Sequence, residues 1–406
     1  MGKVQKPIAL DETLQQVVQK LHTQNLLLGV QVGENLEAVE TMSEVSKIVR
    51  NGHAQEVFNV GDQIVYPWTD TSTGKVYEVV ADVVHFDNVT LKDGSVVPGM
   101  YLQWHFATPY GVSFDNYEAF YYAEQELPAG TYYITVGANW GTNCVKDETY
   151  HFTLTKPVPA GGQLAGFHGM PDQAPANWKV YSYESPSATE AIETVNVTAG
   201  AEGTSLGTFL PAGDGTLNSM HRVAYGSNRW SESAIRQWLN SAAGVGEWWT
   251  PQNNFDRPPS QLASKPGFLS GFDEEFLACI RPTKVTTALN TVTDVDGDVV
   301  SEDTYDTFFL PSLEQMYCVP QLADAEGEFF EYWKQASEQT EPMQHYQTYP
   351  QVRVYAIENH ESAQAVRLRS AYRGGAAYTW YISSSGYVNN YYAVYATRCA
   401  PVCILS

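Results

Sequence analysis

Between Glu56 and Val158 five runs alternate apolar and polar side chains: EVFNVGDQIVYPW, KVYEVVADVVHF, MYLQWHF, GTYYITVGANW and TYHFTLTKPV. A period of two puts one set of side chains on each side of an extended strand, so this stretch suits a half-buried sheet and not a helix. The turn-forming residues KDGS at 92–95 and PAG at 128–130 separate the runs, which predicts antiparallel hairpins. The expectation is an antiparallel β domain over 54–159. Pro-Ala-Gly recurs at 159 and 211 without a fixed interval, so it marks turns and not a repeat array.

The flanking regions have other textures. After Pro7, Asp11 can cap a helix carrying Leu14, Val17, Leu21 and Leu28, and a second helical stripe runs through Leu36, Val39, Met42, Val45, Ile48 and Val49. Segment 1–53 is therefore expected to be helical. It either packs on its own domain or serves as an oligomerisation or attachment segment whose apolar stripe a second copy covers. Residues 160–206 are rich in Gly, Ala, Ser and Pro and predict a connector holding one short strand pair. From Gly207 onward helices and strands mix. Ser231 is expected to cap a helix presenting Ile235, Trp238 and Leu239, and Asp273 to cap another over DEEFLACI. FFLPSLEQMY is expected to join a strand to a helix opened by a Ser312 and Gln315 capping box. The fold class is α+β, with an N-terminal helical segment, a β-rich middle and a mixed domain over 207–406.

Charge and composition exclude several functions. The net charge of −23, from 46 acidic and 23 basic residues, repels phosphate backbones and anionic lipid surfaces, so no nucleic-acid partner is expected. No stretch is apolar for the length of a membrane span, and the opening MGKVQKPIALDETLQQ lacks the apolar run of a signal peptide. No membrane insertion is expected. The five cysteines, Cys144, Cys279, Cys318, Cys399 and Cys403, read as reduced core thiols, because an odd and sparse set makes a poor disulfide framework and Cys399 and Cys403 lack a second zinc-binding pair.

Catalytic patterns are missing as well. Asp294, Asp296 and Asp298 alternate as in a calcium loop, but the glycine falls at 297 and Tyr305 occupies the position that needs a glutamate, so a solvated hairpin tip is expected. The nine histidines show no metal-binding spacing, and neither a nucleophile elbow nor a phosphate-cradling loop is present. No cofactor, metal site or enzymatic activity is expected.

The end of the chain is unusual. Seven tyrosines fall between Tyr372 and Tyr395, mixed with Asn, Ser, Thr, Ala and Gly. A buried cluster would have to find partners for all those hydroxyls, whereas a surface of Tyr with small polar residues gives broad, rigid contact and adaptable hydrogen bonding.

The order of WSESAIRQWLN at 230–240, FFLPSLEQMY at 308–317, RLRSAYRG at 367–374, SSGYVNN at 384–390 and RCAPVC at 398–403 resembles the C-type-lectin-fold variable proteins of diversity-generating retroelements, found in phages and gut bacteria. The resemblance covers roughly the last 180 residues. It departs where the family often carries a Trp pair, since Ala365 and Val366 precede Arg367 here, and the Glu-Pro-Asn and Trp-Asn-Asp motifs of calcium-dependent sugar lectins are lacking. In such proteins adenine-directed mutation of Asn codons yields Tyr, Ser, Thr, Ala, Val, Asp and Gly. The resemblance then implies a C-type-lectin-like domain whose variable region spans about 367–403. The implied ligand-binding positions are Tyr372, Gly375, Ala377, Tyr378, Tyr381, Ser383, Tyr387, Asn389, Asn390, Tyr391, Tyr392, Val394, Tyr395 and Thr397. Arg373, Gly374, Trp380, Gly386, Val388, Arg398, Cys399 and Pro401 would be the fixed framework. The implied function is a phage receptor-binding or tail-associated protein, carried on the virion as a homo-oligomer, trimeric in one arrangement, that binds a host surface protein or glycan. The alternative is a structural virion protein, a capsid decoration or tail-fibre subunit, that uses the same face between subunits.

Overall fold

The computed structural model of the chain describes residues 41–116, 120–135, 145–161, 163–164, 177–181, 193–209, 225–250 and 258–406. The protein is α+β, rich in strand and sparing of helix. The first three alternating runs form an antiparallel meander, Gln63–Asp70, Lys75–Thr90 and Val96–Trp104. Ile64, Tyr66 and Trp68 are buried while the residues between them are half-exposed, as the alternation requires. Pro67 lies on this edge strand, the place in a sheet that tolerates a missing N–H.

The meander does not close a domain by itself. Val402–Leu405 pairs antiparallel with Val96–Trp104, and Phe308–Phe309 pairs with Val402–Leu405, giving a five-stranded sheet drawn from both ends of the described chain. The boundaries expected for separate domains at 54–159 and 207–406 are therefore redrawn. Alternation reports that a strand exists but says nothing of which distant segment completes its ladder. One apolar core runs from Met42 to Leu405, and the ring of Phe268 lies 5.0 to 5.5 Å from those of Trp68, Trp104, Trp238, Phe272 and Phe308. Tilted and edge-on pairs of this kind each add about 1 kcal/mol beyond area burial.

The intervening residues build two four-stranded sheets. One orders Glu193–Asn196, Asn177–Tyr181, Phe120–Ala123 and Gln163–Leu164, and the other Thr198–Ala199, Gly130–Thr135, Thr149–Leu154 and Thr204–Phe209. Segment 160–206 thus supplies strands to both sheets, where a connector with one strand pair was expected. Strand preference is set largely by the neighbours a segment pairs with, which composition does not report.

Helices are short. In Met42–Arg50 the Thr41 hydroxyl accepts from the Glu44 N–H and the Glu44 carboxylate accepts from the Thr41 N–H, a complete capping box. Met42, Val45, Ile48 and Val49 are buried in the chain's own core, and Arg50 donates to the carbonyls of Ser406 and Ala278. This part of the expected attachment segment is committed to its own fold; Leu14, Val17, Leu21, Leu28, Leu36 and Val39 lie outside the described residues.

The helix Ala234–Leu239 buries Ile235, Trp238 and Leu239 as expected, but its cap is Ser233 and not Ser231, which lies within a 3-10 turn over Trp230–Glu232. Ser233→Ala is expected to cost about 1 kcal/mol, visible as a lower denaturant midpoint at constant slope. Asp273 caps Glu274–Leu277 through the Phe276 N–H at 2.8 Å. Ser312 and Gln315 exchange both capping-box hydrogen bonds, yet no helix follows, because Tyr317 takes a φ of 58° and turns the chain. The Asp294 to Asp298 stretch is the tip of the hairpin between Thr283–Ala288 and Ser301–Asp306. Among the described residues no helix is long and apolar enough to cross a membrane.

Candidate functional site

The tyrosine-rich segment folds as a three-stranded antiparallel sheet, Val366–Ala371, Tyr378–Ile382 and Val388–Tyr392. Tyr378 stands opposite Tyr392, Trp380 opposite Asn390 and Tyr381 opposite Asn389. Because successive side chains alternate, Tyr378, Trp380, Asn390 and Tyr392 share one side, and Tyr381, Asn389 and Tyr391 share the other. The single binding face expected from the sequence is therefore two faces of one thin sheet. They are joined round its edge by Tyr395, whose ring centroid lies 5.0 Å from that of Tyr391 and 5.5 Å from that of Tyr392.

All seven tyrosines keep contact with solvent. Tyr391 and Tyr395 are exposed at 39% and 43%, and Tyr372, Tyr378, Tyr381, Tyr387 and Tyr392 are half-buried together with Ser383, Asn389, Asn390 and Val394. Three expected contact positions lie inside instead. Gly375 is packed between Tyr372 and Tyr378, Ala377 is fully buried, and the Thr397 hydroxyl accepts from Arg367. Among the expected framework residues Trp380, Gly386, Val388, Cys399 and Pro401 are buried, Arg373 and Arg398 are half-buried, and Gly374 is exposed.

The framework grips the main chain of this segment. Arg367 is fully buried and spends its N–H groups on Thr397 and Thr379 hydroxyls and on the carbonyls of Tyr391, Tyr392 and Tyr395. Burial pushes its guanidinium down to about 9, which still leaves it charged at neutral pH. Buried Asn228 shares its amide between the carbonyls of Gly375, Tyr378 and Tyr372 at 2.7, 2.8 and 3.3 Å, and accepts from the Asn290 amide. Ser113 donates to the Val394 carbonyl at 2.6 Å, and the Phe114 N–H donates to that of Ala393. Hydrogen bonds to carbonyls do not depend on which side chain each position carries.

Two aromatic residues outside the segment enlarge the site, and sequence reading missed both. Tyr225 stacks on Tyr392 with centroids 4.1 Å apart, and Tyr346, a residue 49% exposed, accepts from the Asn390 amide at 2.8 Å. His345 stacks on Trp380 at 4.2 Å. The stretch QHYQTYP at 344–350 has the same mixture of polar and aromatic residues as the C-terminal segment, and that was the available signal.

The segment carries no carboxylate. From Tyr372 to Thr397 the one formally charged side chain is Arg373, and its guanidinium donates to the carbonyls of Leu289 and Val300. Burial raises the phenols of Tyr378, Tyr381, Tyr346 and Tyr225 above the usual range, so they stay protonated. Among the described residues no three His, Cys, Asp or Glu side chains stand together so as to hold a metal ion. The described cysteines, Cys279, Cys318, Cys399 and Cys403, are buried and free; Cys144 lies outside the described residues.

No curated protein and no solved structure matches the chain. Residues 192–406, more than half of the sequence, match a family described as "Domain of unknown function (DUF6273)", and this stretch contains the whole tyrosine-rich sheet. The chain belongs to that family.

Proposed function

We propose that this protein is a ligand-binding display protein whose tyrosine, asparagine and serine surface at the C-terminal sheet docks on a molecule of a host cell surface. The observation that carries the reading is that all seven tyrosines reach solvent while the hydrogen bonds beneath them go to main-chain carbonyls. Apart from Thr397, whose hydroxyl accepts from Arg367, such a surface can change its side chains without losing these carbonyl contacts, which suits the diversified proteins that the sequence resembles. On the same reading the chain is carried on a phage particle, as a receptor-binding or tail-associated component, and its copies act together to raise avidity.

The double variant Tyr391→Ala with Tyr395→Ala removes the two most exposed rings of the segment. It is expected to weaken binding to whole cells of a recognised bacterial strain by about tenfold or more, since well-placed aromatic contacts each contribute on the order of 1–2 kcal/mol. Its melting temperature should stay within about 4 °C of the parent, a shift worth no more than about 1 kcal/mol. Unchanged cell binding by the folded variant would refute the reading.

A further inference from the structure

We infer that the ligand of this surface is a neutral, hydroxyl-rich glycan, bound without a metal ion, and that Tyr346 is a contact for it outside the C-terminal segment. The inference rests on the binding role proposed above.

Charge narrows the ligand first. The segment 372–397 holds no carboxylate, its lone arginine is committed to two carbonyls, and the chain as a whole carries −23. Within the segment an anionic ligand would find no free cation and a cationic one no carboxylate. What the surface offers is phenol rings, the amides of Asn389 and Asn390 and the Ser383 hydroxyl, all partly solvent-exposed. A pyranose matches this set, because its C–H faces pack on aromatic rings while its hydroxyls exchange hydrogen bonds with amides and phenols. The centre of a protein interface adds desolvated apolar side chains, Met and Arg to its aromatic residues. Here Trp380, Ile382, Val388 and Arg367 are fully buried, so none of them is available.

Tyr346 supplies an independent observation. It is a bulky residue with a φ of 59°, in the left-handed region, and almost half of its surface faces solvent. Both features oppose stability, the backbone alone costing on the order of 1 kcal/mol or more. The residue is nonetheless fixed against the binding sheet, its N–H donating to the Val388 carbonyl at 2.7 Å and its hydroxyl accepting from Asn390. A large ring held exposed at such a cost, beside an amide of the binding sheet, is a platform for a ligand.

The full chain is first incubated with whole cells from a panel of bacterial strains. Cells of a bound strain are then treated with periodate, which cleaves the vicinal diols of sugars, or with proteinase K, and the chain is also applied to immobilised neutral and acidic oligosaccharides. Periodate is expected to reduce binding by about tenfold or more, and proteinase K and EDTA to leave it intact. Neutral but not acidic oligosaccharides should retain the chain. Tyr346→Gly should lose binding by about tenfold while keeping the melting temperature, because glycine adopts this backbone without strain. Binding that survives periodate, disappears with proteinase K and still requires Tyr391 and Tyr395 would overturn the glycan and leave the binding surface standing. Indifference to Tyr391→Ala with Tyr395→Ala, or binding to no strain and no oligosaccharide, would overturn both. Full binding by Tyr346→Gly would remove that contact.

Discussion

Arg367→Ala is expected to destabilise the protein by on the order of 3–5 kcal/mol. The guanidinium is fully buried and makes five hydrogen bonds, three of them to the carbonyls of Tyr391, Tyr392 and Tyr395. Truncation strands those carbonyls and the hydroxyls of Thr379 and Thr397, and each unpaired buried group costs about 1–3 kcal/mol. Relief of the desolvated charge offsets part of the loss, which is why the expected total is less than the sum. Arg367→Lys keeps a charge but offers fewer donors in a different geometry, so it should fall between parent and alanine variant. Denaturant unfolding measures both, and hydrogen exchange should show that opening begins at residues 391–397. An alanine variant within about 1 kcal/mol of the parent would contradict the assignment of Arg367 as the anchor of this segment.

Gly386→Ala should be nearly as damaging, at on the order of 3 kcal/mol. Gly386 has a φ of 85° in the turn that links Tyr378–Ile382 to Val388–Tyr392, and a Cβ there would lie 2.1 Å from the Tyr349 carbonyl oxygen. The substitution combines a left-handed backbone that alanine resists with an overlap against main chain that cannot swing aside. Separation of the Tyr349 loop would also break the hydrogen bond from the Tyr349 N–H to the Gly386 carbonyl at 2.9 Å. The melting temperature reads the effect. On the proposed function, cell binding should fall with it, since Tyr387 and Tyr346 are carried on the two sides of this contact.

Much of the secondary structure was legible because it is locally encoded. Alternation announced the strands holding Ile64, Tyr66 and Trp68, and Asp273 declared its own cap. Ser233 lost to Ser231 because both are serines next to the same apolar stripe, and a tertiary contact of the preceding turn selects between them. The outward tyrosines were legible from the company they keep. Their division between two sides was not, because a register offset of one residue exchanges the sides and register is set by pairing across the sheet. Gly375, Ala377 and Thr397 were expected at the surface on codon chemistry, which carries no information about depth. The pairing of Val96–Trp104 with Val402–Leu405 left no local mark at all.

That pairing has a consequence for biosynthesis. Val402–Leu405 lies between Val96–Trp104 and Phe308–Phe309, so the ladder stays incomplete until Leu405 has left the ribosome. Maturation of the sheet is then slow, as expected when paired strands lie so far apart in sequence. During that interval the nascent product displays open ladder edges, which favours chaperone engagement and makes premature stop codons near residue 400 a route to inclusion bodies.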